Sequence, residues 1–332
     1  MVVKKATNQS GDIVQVLSRT LATNNNRTER EIRQDAGIRE LYELSSFQNI
    51  AFIALEWLSI ILVVYITQRF FNIFSYFLAV VWIGSRWQAL GVLMHEAVHY
   101  RLFKNRKLNE IVGEFLAWPL VLTMKGYRNS HLAHHQNLNT AEDPDYNQWD
   151  KYYQFPKSKT QMLMALIENA LGIGLIYDLT QTAFKHTEQF EVHNRIPLTL
   201  RLSQLAFYAL IISLSIAFSF WQLLLLYWFV PLLTATKFFD YLRAMAEHYG
   251  MESSNDFNSS RNTFGWECFL IAPYNICIHL AHHLHPGVPW YNLHKLHAVL
   301  MKDPEYREKS LNTQGYLRVL EDCTKYPKSS ML

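Results

Sequence analysis

Apolar residues in this chain gather into long blocks with polar stretches between them. Residues 49–67 (NIAFIALEWLSIILVVYIT) carry one charge, Glu56. Residues 70–85 (FFNIFSYFLAVVWIGS) carry none, and the apolar pattern continues past Arg86 to Met94. Residues 205–236 are free of charge throughout. A helix of ~20 mostly apolar residues crosses the hydrocarbon core of a bilayer, so this last block is long enough for two short spans, with a turn near Ser219-Phe220-Trp221-Gln222. The pattern predicts four transmembrane helices, at about 49–67, 70–93, 203–220 and 222–241. Two shorter apolar runs remain. Residues 111–124 contain Glu114 and Pro119 and are too short to cross comfortably, which predicts an interfacial or re-entrant segment. Residues 264–281 are similarly short.

The polar segments complete an all-α architecture, integral to the membrane, with a cap built from 95–200 and 245–332. Residues 1–48 are polar and lack the apolar core of a signal peptide. They read as a polar cytosolic N-terminal segment, with 49–332 as one membrane domain. Half of the 332 residues are hydrophobic. That length could hold two soluble domains, but the blockwise distribution argues for a membrane protein.

Charge sets the orientation. The tight turns between paired spans hold only Arg69 among basic residues, whereas Arg101, Lys104, Arg106 and Lys107 follow the second span and Lys237 and Arg243 close the fourth. The positive-inside rule then places the long segments and the cap in the cytosol. The net charge of +3 is explained by this topology and carries no nucleic-acid signature. Cys268, Cys277 and Cys323 form no zinc knuckle or redox pair. Cys277 lies beside a histidine cluster, as a ligand or, the preferred reading, a small core residue.

The chemistry lies in the histidines. Eight of the 14 fall in three clusters: His95 and His99 in HEAVH; His131, His134 and His135 in HLAHH; His279, His282 and His283 in a second HLAHH. On a helix, positions i, i+3 and i+4 share one face, so each cluster can aim its rings at one point. With four crossings, all three clusters face the same side and can share one site. His248, in RAMAEHYG at the end of the fourth span, is a ninth candidate. His285 is placed just outside the metal ligands, His294 and His297 are read as structural, and His186 and His193 as surface residues.

Imidazoles suit zinc, copper, iron and nickel. Eight or nine overfill one zinc but suit two metals with four or five nitrogens each and space left for a small ligand. Ligand type alone does not name the metal. Iron is favoured because two irons can share the electrons needed to activate dioxygen, whereas zinc has no redox chemistry. Glu96, Glu247, Asp143 and Asp145 are candidate acceptors for the outer ring N–H groups, or simply charges at helix ends. Two alternatives stand beside this reading. HEAVH matches the HExxH signature of zinc metalloproteases, which leaves both HxxHH clusters unexplained. A metal store or transporter would be expected to carry polar residues in mid-membrane, where the predicted spans have almost none.

The three boxes in this order, followed by HLHPGVPWYNLHKLH (283–297), resemble the membrane fatty acid desaturase and hydroxylase superfamily over roughly residues 45–300. GYRNSHLAHH (126–135), AEDPDY (141–146) and RAMAEHYG (243–250) look like the bacterial subgroup that includes dihydrorhizobitoxine desaturase-like proteins. The resemblance implies a non-haem di-iron centre (two iron ions) ligated by His95, His99, His131, His134, His135, His279, His282 and His283. His248 takes the place of the further ligand found after the fourth span in some members. Glu96 stands where aspartate is common. The implied reaction is O2-dependent desaturation of a fatty acyl chain. The alternative is hydroxylation or ketolation of a lipid, carotenoid or amino-acid-derived substrate. No cytochrome b5 domain is legible, so the resemblance implies an external electron donor such as ferredoxin or free cytochrome b5. The basic rim of Arg101, Lys104, Arg106 and Lys107 is expected to steer an acidic donor.

Overall fold

The computed structural model describes residues 36–140, 142–145, 152, 154–177, 196–251 and 255–325. His186, His193 and most of the polar lead-in lie outside them. The chain forms two compact units, Met1–Glu43 and Leu44–Leu332. The described part of the first is one helical turn, Ala36–Arg39, running into a 3-10 turn, Glu40–Tyr42.

In the second unit, α1 (Ser46–Arg69) and α2 (Ile73–Val98) form a tightly connected pair. Ser45 caps the first by accepting the Gln48 N–H, and Asn72 and Ser75 form a capping box on the second. At ~1.5 Å per residue each is long enough to cross the hydrocarbon core. The side of α1 away from α2 exposes Leu55, Leu58, Leu62 and Tyr65. An apolar face this long is not stable in water; acyl chains would cover it. Further along, α6 (Leu198–Ala217) and α7 (Trp221–His248) form the second pair. Their turn, with Ser219 at φ 57°, falls where the apolar pattern places it. These four helices are long and apolar enough to cross a membrane.

Two of them run further than the hydropathy boundary suggests. Helix α2 continues to Val98 instead of ending near 93, and α7 to His248 instead of 241. A helix satisfies its backbone internally, so leaving hydrocarbon gives it no reason to stop. The last turns of both therefore carry histidines into the cap. Gly84 brings α2 and α7 together: a Cβ there would stand 2.5 Å from Ala235 Cβ and 2.9 Å from Thr236 N, so only glycine permits this approach. Around Pro231, α7 widens into two π-helical segments, Leu225–Phe229 and Leu232–Thr236, because proline lacks the N–H that the regular ladder requires.

The run at 111–124 does not cross. It is a helix-turn-helix in which α3 (Arg106–Ala117) passes through a 3-10 turn at Trp118–Leu120 into α4 (Met124–Asn137). Glu114, the charge that interrupts this run, accepts the Met124 and Lys125 N–H groups at 3.1 and 2.9 Å. It therefore caps α4 at its positive end. Leu108, Ile111 and Phe115 form an exposed apolar stripe on α3. Helix α5 (Lys159–Ala170) packs Met162 and Ala165 against Phe239, Leu242 and Met245 of α7.

The expectation of an all-α fold needs one correction. Strand β1 (Arg261–Phe264) pairs in parallel with β2 (Leu311–Gln314). RNTF and LNTQ are too short to show an alternating pattern, so the pairing is a tertiary event. Between the strands lie α8 (Cys268–Ile271), α9 (His279–Leu284), α10 (Leu293–Leu300) and α11 (Pro304–Lys309); α12 (Tyr316–Lys325) follows β2. The stretch at 264–281 is thus broken, with Tyr274 and Asn275 both left-handed at φ 59° and 58°.

Candidate metal centre

The four elements that carry the histidines end at one place. His95 lies in the last turn of α2, and His99 is its C-cap. The second box forms the latter half of α4, whose start is fixed by the Thr123 and Glu114 caps. The third box is α9, and His248 is the last residue of α7. Helix α9 is held by Asn262 of β1, whose Oδ1 accepts the Ala281 N–H at 3.2 Å.

All nine predicted histidines converge, and they do so as two groups. In the first, the Nε2 atom of His131 is 2.9 Å from His95 Nε2, 3.0 Å from His99 Nε2 and 2.9 Å from His135 Nε2. His282 Nε2 completes it, 3.2 Å from His135 Nε2. In the second, His279 Nε2 lies 3.0 Å from His248 Nε2 and 3.1 Å from His283 Nε2. The ring of His134 stands 4.6 Å from that of His248 and 5.1 Å from that of His283. The groups meet where His135 and His283 stack at 4.1 Å.

These contacts cannot all be hydrogen bonds. A neutral imidazole has one N–H and one acceptor nitrogen, yet His131 Nε2 faces three other Nε2 atoms at contact distance. A shared cation removes the conflict. Nitrogens bound at ~2.1 Å to one ion stand ~3.0 Å apart when they bind at right angles, which is the spacing seen here. The donor set therefore fits metal: five imidazoles could share one ion, and His134, His248 and His283 lie close enough to hold another, with His279 beside His248.

Burial and neighbouring charge keep most of these rings neutral. Burial pushes the pKa of His99 down to about 3, helped by Arg101 and Arg128. Burial likewise takes that of His135 to about 2, with His99 and His134 adding to it. His131, His279, His282 and His283 move the same way, burial first. Lone pairs are thus free for metal at neutral pH. His134 is the exception. Burial lowers its pKa, but the charges of Asp145 and Asp143 outweigh that and raise it.

The outer ring nitrogens show which of the four candidate carboxylates do as expected. Asp143 lies 2.9 and 3.1 Å from His134 Nδ1, and Asp145 is 3.6 Å away. Glu247 approaches His279 Nδ1 at 3.5 Å while accepting the Arg243 Nε–H at 2.7 Å. Glu96 is the departure: its carboxylate accepts the Trp290 backbone N–H at 3.1 Å and touches none of the rings. It ties the first box to the loop after the third. Replacing Asp143 by alanine is expected to weaken metal binding ~10–100-fold, the usual cost of losing an imidazole's outer partner; a chelator competition titration measures it.

Of the remaining candidates, Cys277 is buried and belongs to no metal-holding group among the described residues. His297 is structural as expected, its Nδ1 3.0 Å from the Tyr306 hydroxyl. His285 is buried just past α9, and His294 is exposed. Two neighbours of the centre were not foreseen. Tyr127 stacks on His131 at 5.2 Å with 14° between ring planes, and Arg243 holds Glu247. The signals were present: Tyr127 is four residues before His131, and Arg243 four before Glu247.

Apolar spanning helices with paired imidazole groups at one end define a membrane oxidoreductase of the histidine-box type. The family described as fatty acid desaturase matches residues 71–315, and the chain belongs to it. It is 29% identical over 252 residues to dihydrorhizobitoxine desaturase of Bradyrhizobium elkanii, covering 72% of each chain. It is 25% identical over 264 residues to sn-1 oleoyl-lipid 12-desaturase of Arthrospira platensis, covering 74% of this chain and 71% of that one. Against the chloroplastic omega-3 fatty acid desaturase of Sesamum indicum, identity is 26% over 230 residues, and the match spans half of that protein. This membership, with Glu96 engaged on Trp290, disposes of the zinc-protease alternative, in which that glutamate would be the base.

Proposed function

We propose that this protein is an O2-dependent desaturase of a fatty acyl chain, working at two iron ions held by His95, His99, His131, His135 and His282 in one group and His134, His248, His279 and His283 in the other. The observation that carries this reading is the convergence of nine buried or half-buried imidazoles, five able to share one ion and the others gathered around His248, a donor set larger than one ion needs. When bound, the ions supply the redox chemistry that activates dioxygen. Removing two hydrogens from adjacent carbons while reducing O2 to two waters consumes two electrons and two protons, so an external donor is required. The chain's own residues hold most of the rings neutral, fix His134 through Asp143, set Glu247 beside His279, and enclose them. Residues 49–332 form the catalytic domain, and 1–48 a polar cytosolic segment before it. A cytosolic position of the centre is supported by the basic residues beside the first box.

The expected result in a host without its own desaturases, supplied with ferredoxin or cytochrome b5, is a two-hydrogen deficit in extracted acyl chains by mass spectrometry. An added oxygen would replace this reading with hydroxylation, and no change in any extract would overturn it. The match to dihydrorhizobitoxine desaturase supports a second reading, in which the substrate is not a membrane lipid; small-molecule extracts from the same cells separate the two.

Lys104, Arg106 and Lys107 stand exposed beside the first box, suited to an acidic ferredoxin or cytochrome b5. Reversing all three to glutamate is expected to slow donor-supported turnover ~10-fold or more at low salt and to flatten its salt dependence. Turnover measured against ionic strength checks this; an unchanged profile would remove the docking role.

A further inference from the structure

A buried ion pair lies inside the spans and takes no part in the histidine centre. Glu56 on α1 and Arg86 on α2 are both buried, with Arg86 Nη1 3.2 and 3.3 Å from the two Glu56 oxygens. Arg86 is nine residues before His95, ~13 Å along the helix axis. At that depth even a paired charge is costly, so the pair calls for an explanation.

The explanation lies in what else it holds. Arg86 Nη2 donates to the Phe269 carbonyl at 3.1 Å and to Ser85 Oγ at 2.7 Å. Ser85 Oγ in turn donates to the Leu270 carbonyl at 2.8 Å. The Tyr274 hydroxyl donates to the Glu56 carboxylate. The guanidinium also lies 4.8 Å from the Phe269 ring centre. Residues 269–274, which the sequence pattern assigns to the cap, therefore sit level with Arg86. Helix α8 is a single turn, capped by the Ala272 N–H on the Cys268 carbonyl, so the Phe269 and Leu270 carbonyls have no partners within it. Irregular backbone at membrane depth is tolerated only where protein groups satisfy it, and Ser85 and Arg86 do so here. The loop's other side is apolar and open: Trp266 is 78% exposed and Phe269 55% exposed. Phe269 adjoins Trp82 of α2 at 6.0 Å, so this surface continues that of the spans.

We propose that residues 265–278 form a re-entrant loop, inserted into the bilayer from the histidine end, with Glu56 and Arg86 as its seat and Trp266 and Phe269 against lipid acyl chains. The proposal rests on the reading of α1 and α2 as spans. The loop runs directly into α9, so its depth sets where the third box begins.

Spin labels on Trp266→Cys and Phe269→Cys in nanodisc-embedded full-length protein test it, with Leu58→Cys on the outer face of α1 and Lys309→Cys in the cap as references. The wild-type chain supplies the background from its own cysteines. The loop labels are expected to behave like Leu58→Cys: broadened by oxygen and shielded from a water-soluble nickel chelate. Nickel access at 266 and 269 equal to that at 309, with Leu58→Cys still shielded, overturns the loop. Nickel access at Leu58→Cys as well overturns the spanning reading instead. Adding Arg86→Met to Trp266→Cys is expected to raise nickel access at the label. If that variant does not fold, the labels in the otherwise native protein still decide.

Discussion

His131→Ala is expected to empty the centre more completely than the loss of any other single histidine. Its Nε2 faces His95, His99 and His135 at 2.9–3.0 Å, more close partners than any other ring in the cluster has. Losing an outlying partner such as Asp143 costs ~10–100-fold in affinity or activity, so removing this central ligand should cost more than ~100-fold. Metal analysis of the purified protein should show at least one ion lost per chain, with turnover falling in parallel. His294→Ala, exposed on α10, is the matched control and should change neither. Full metal content and turnover in His131→Ala would refute the five-imidazole group.

The second large effect is on stability. Arg86→Met is expected to destabilise the fold by ~3–5 kcal/mol, because Glu56 is left charged and buried without its counter-ion. The Phe269 carbonyl loses its donor as well. Pairing it with Glu56→Leu removes the stranded charge and should restore part of the loss. What remains unrestored reports the carbonyl and Tyr274 bonds. Thermal unfolding in detergent micelles, measured on the two single variants and the double, completes the cycle. An unchanged melting temperature in Arg86→Met would mean that the pair is dispensable.

Periodicity and composition made the membrane architecture legible, because a bilayer demands long apolar stretches and little else produces them. The histidine centre was legible for a related reason: HxxxH and HxxHH put rings on one helical face whatever surrounds the helix. Helix ends were not, since hydropathy marks where hydrocarbon stops and α2 and α7 have no cause to stop there. Glu96 was misplaced because adjacency in HEAVH says nothing about direction; it lies about 100° around the helix from His95 and reaches Trp290 instead. The strands were invisible because each is only four residues long. Arg86 looked like a break in an apolar pattern, and its purpose appears only with the carbonyls it meets.

The Asn262 side chain links three distant parts of the molecule. It accepts the Ala281 N–H at the third box and donates to the Tyr306 hydroxyl at 2.9 Å and to Asn312 at 3.0 Å. During synthesis on the ribosome the first two boxes emerge long before Asn312 does. The bonds that fix Asn262, and through it the third box, therefore close only after β2 has been made, when both earlier boxes have long been out.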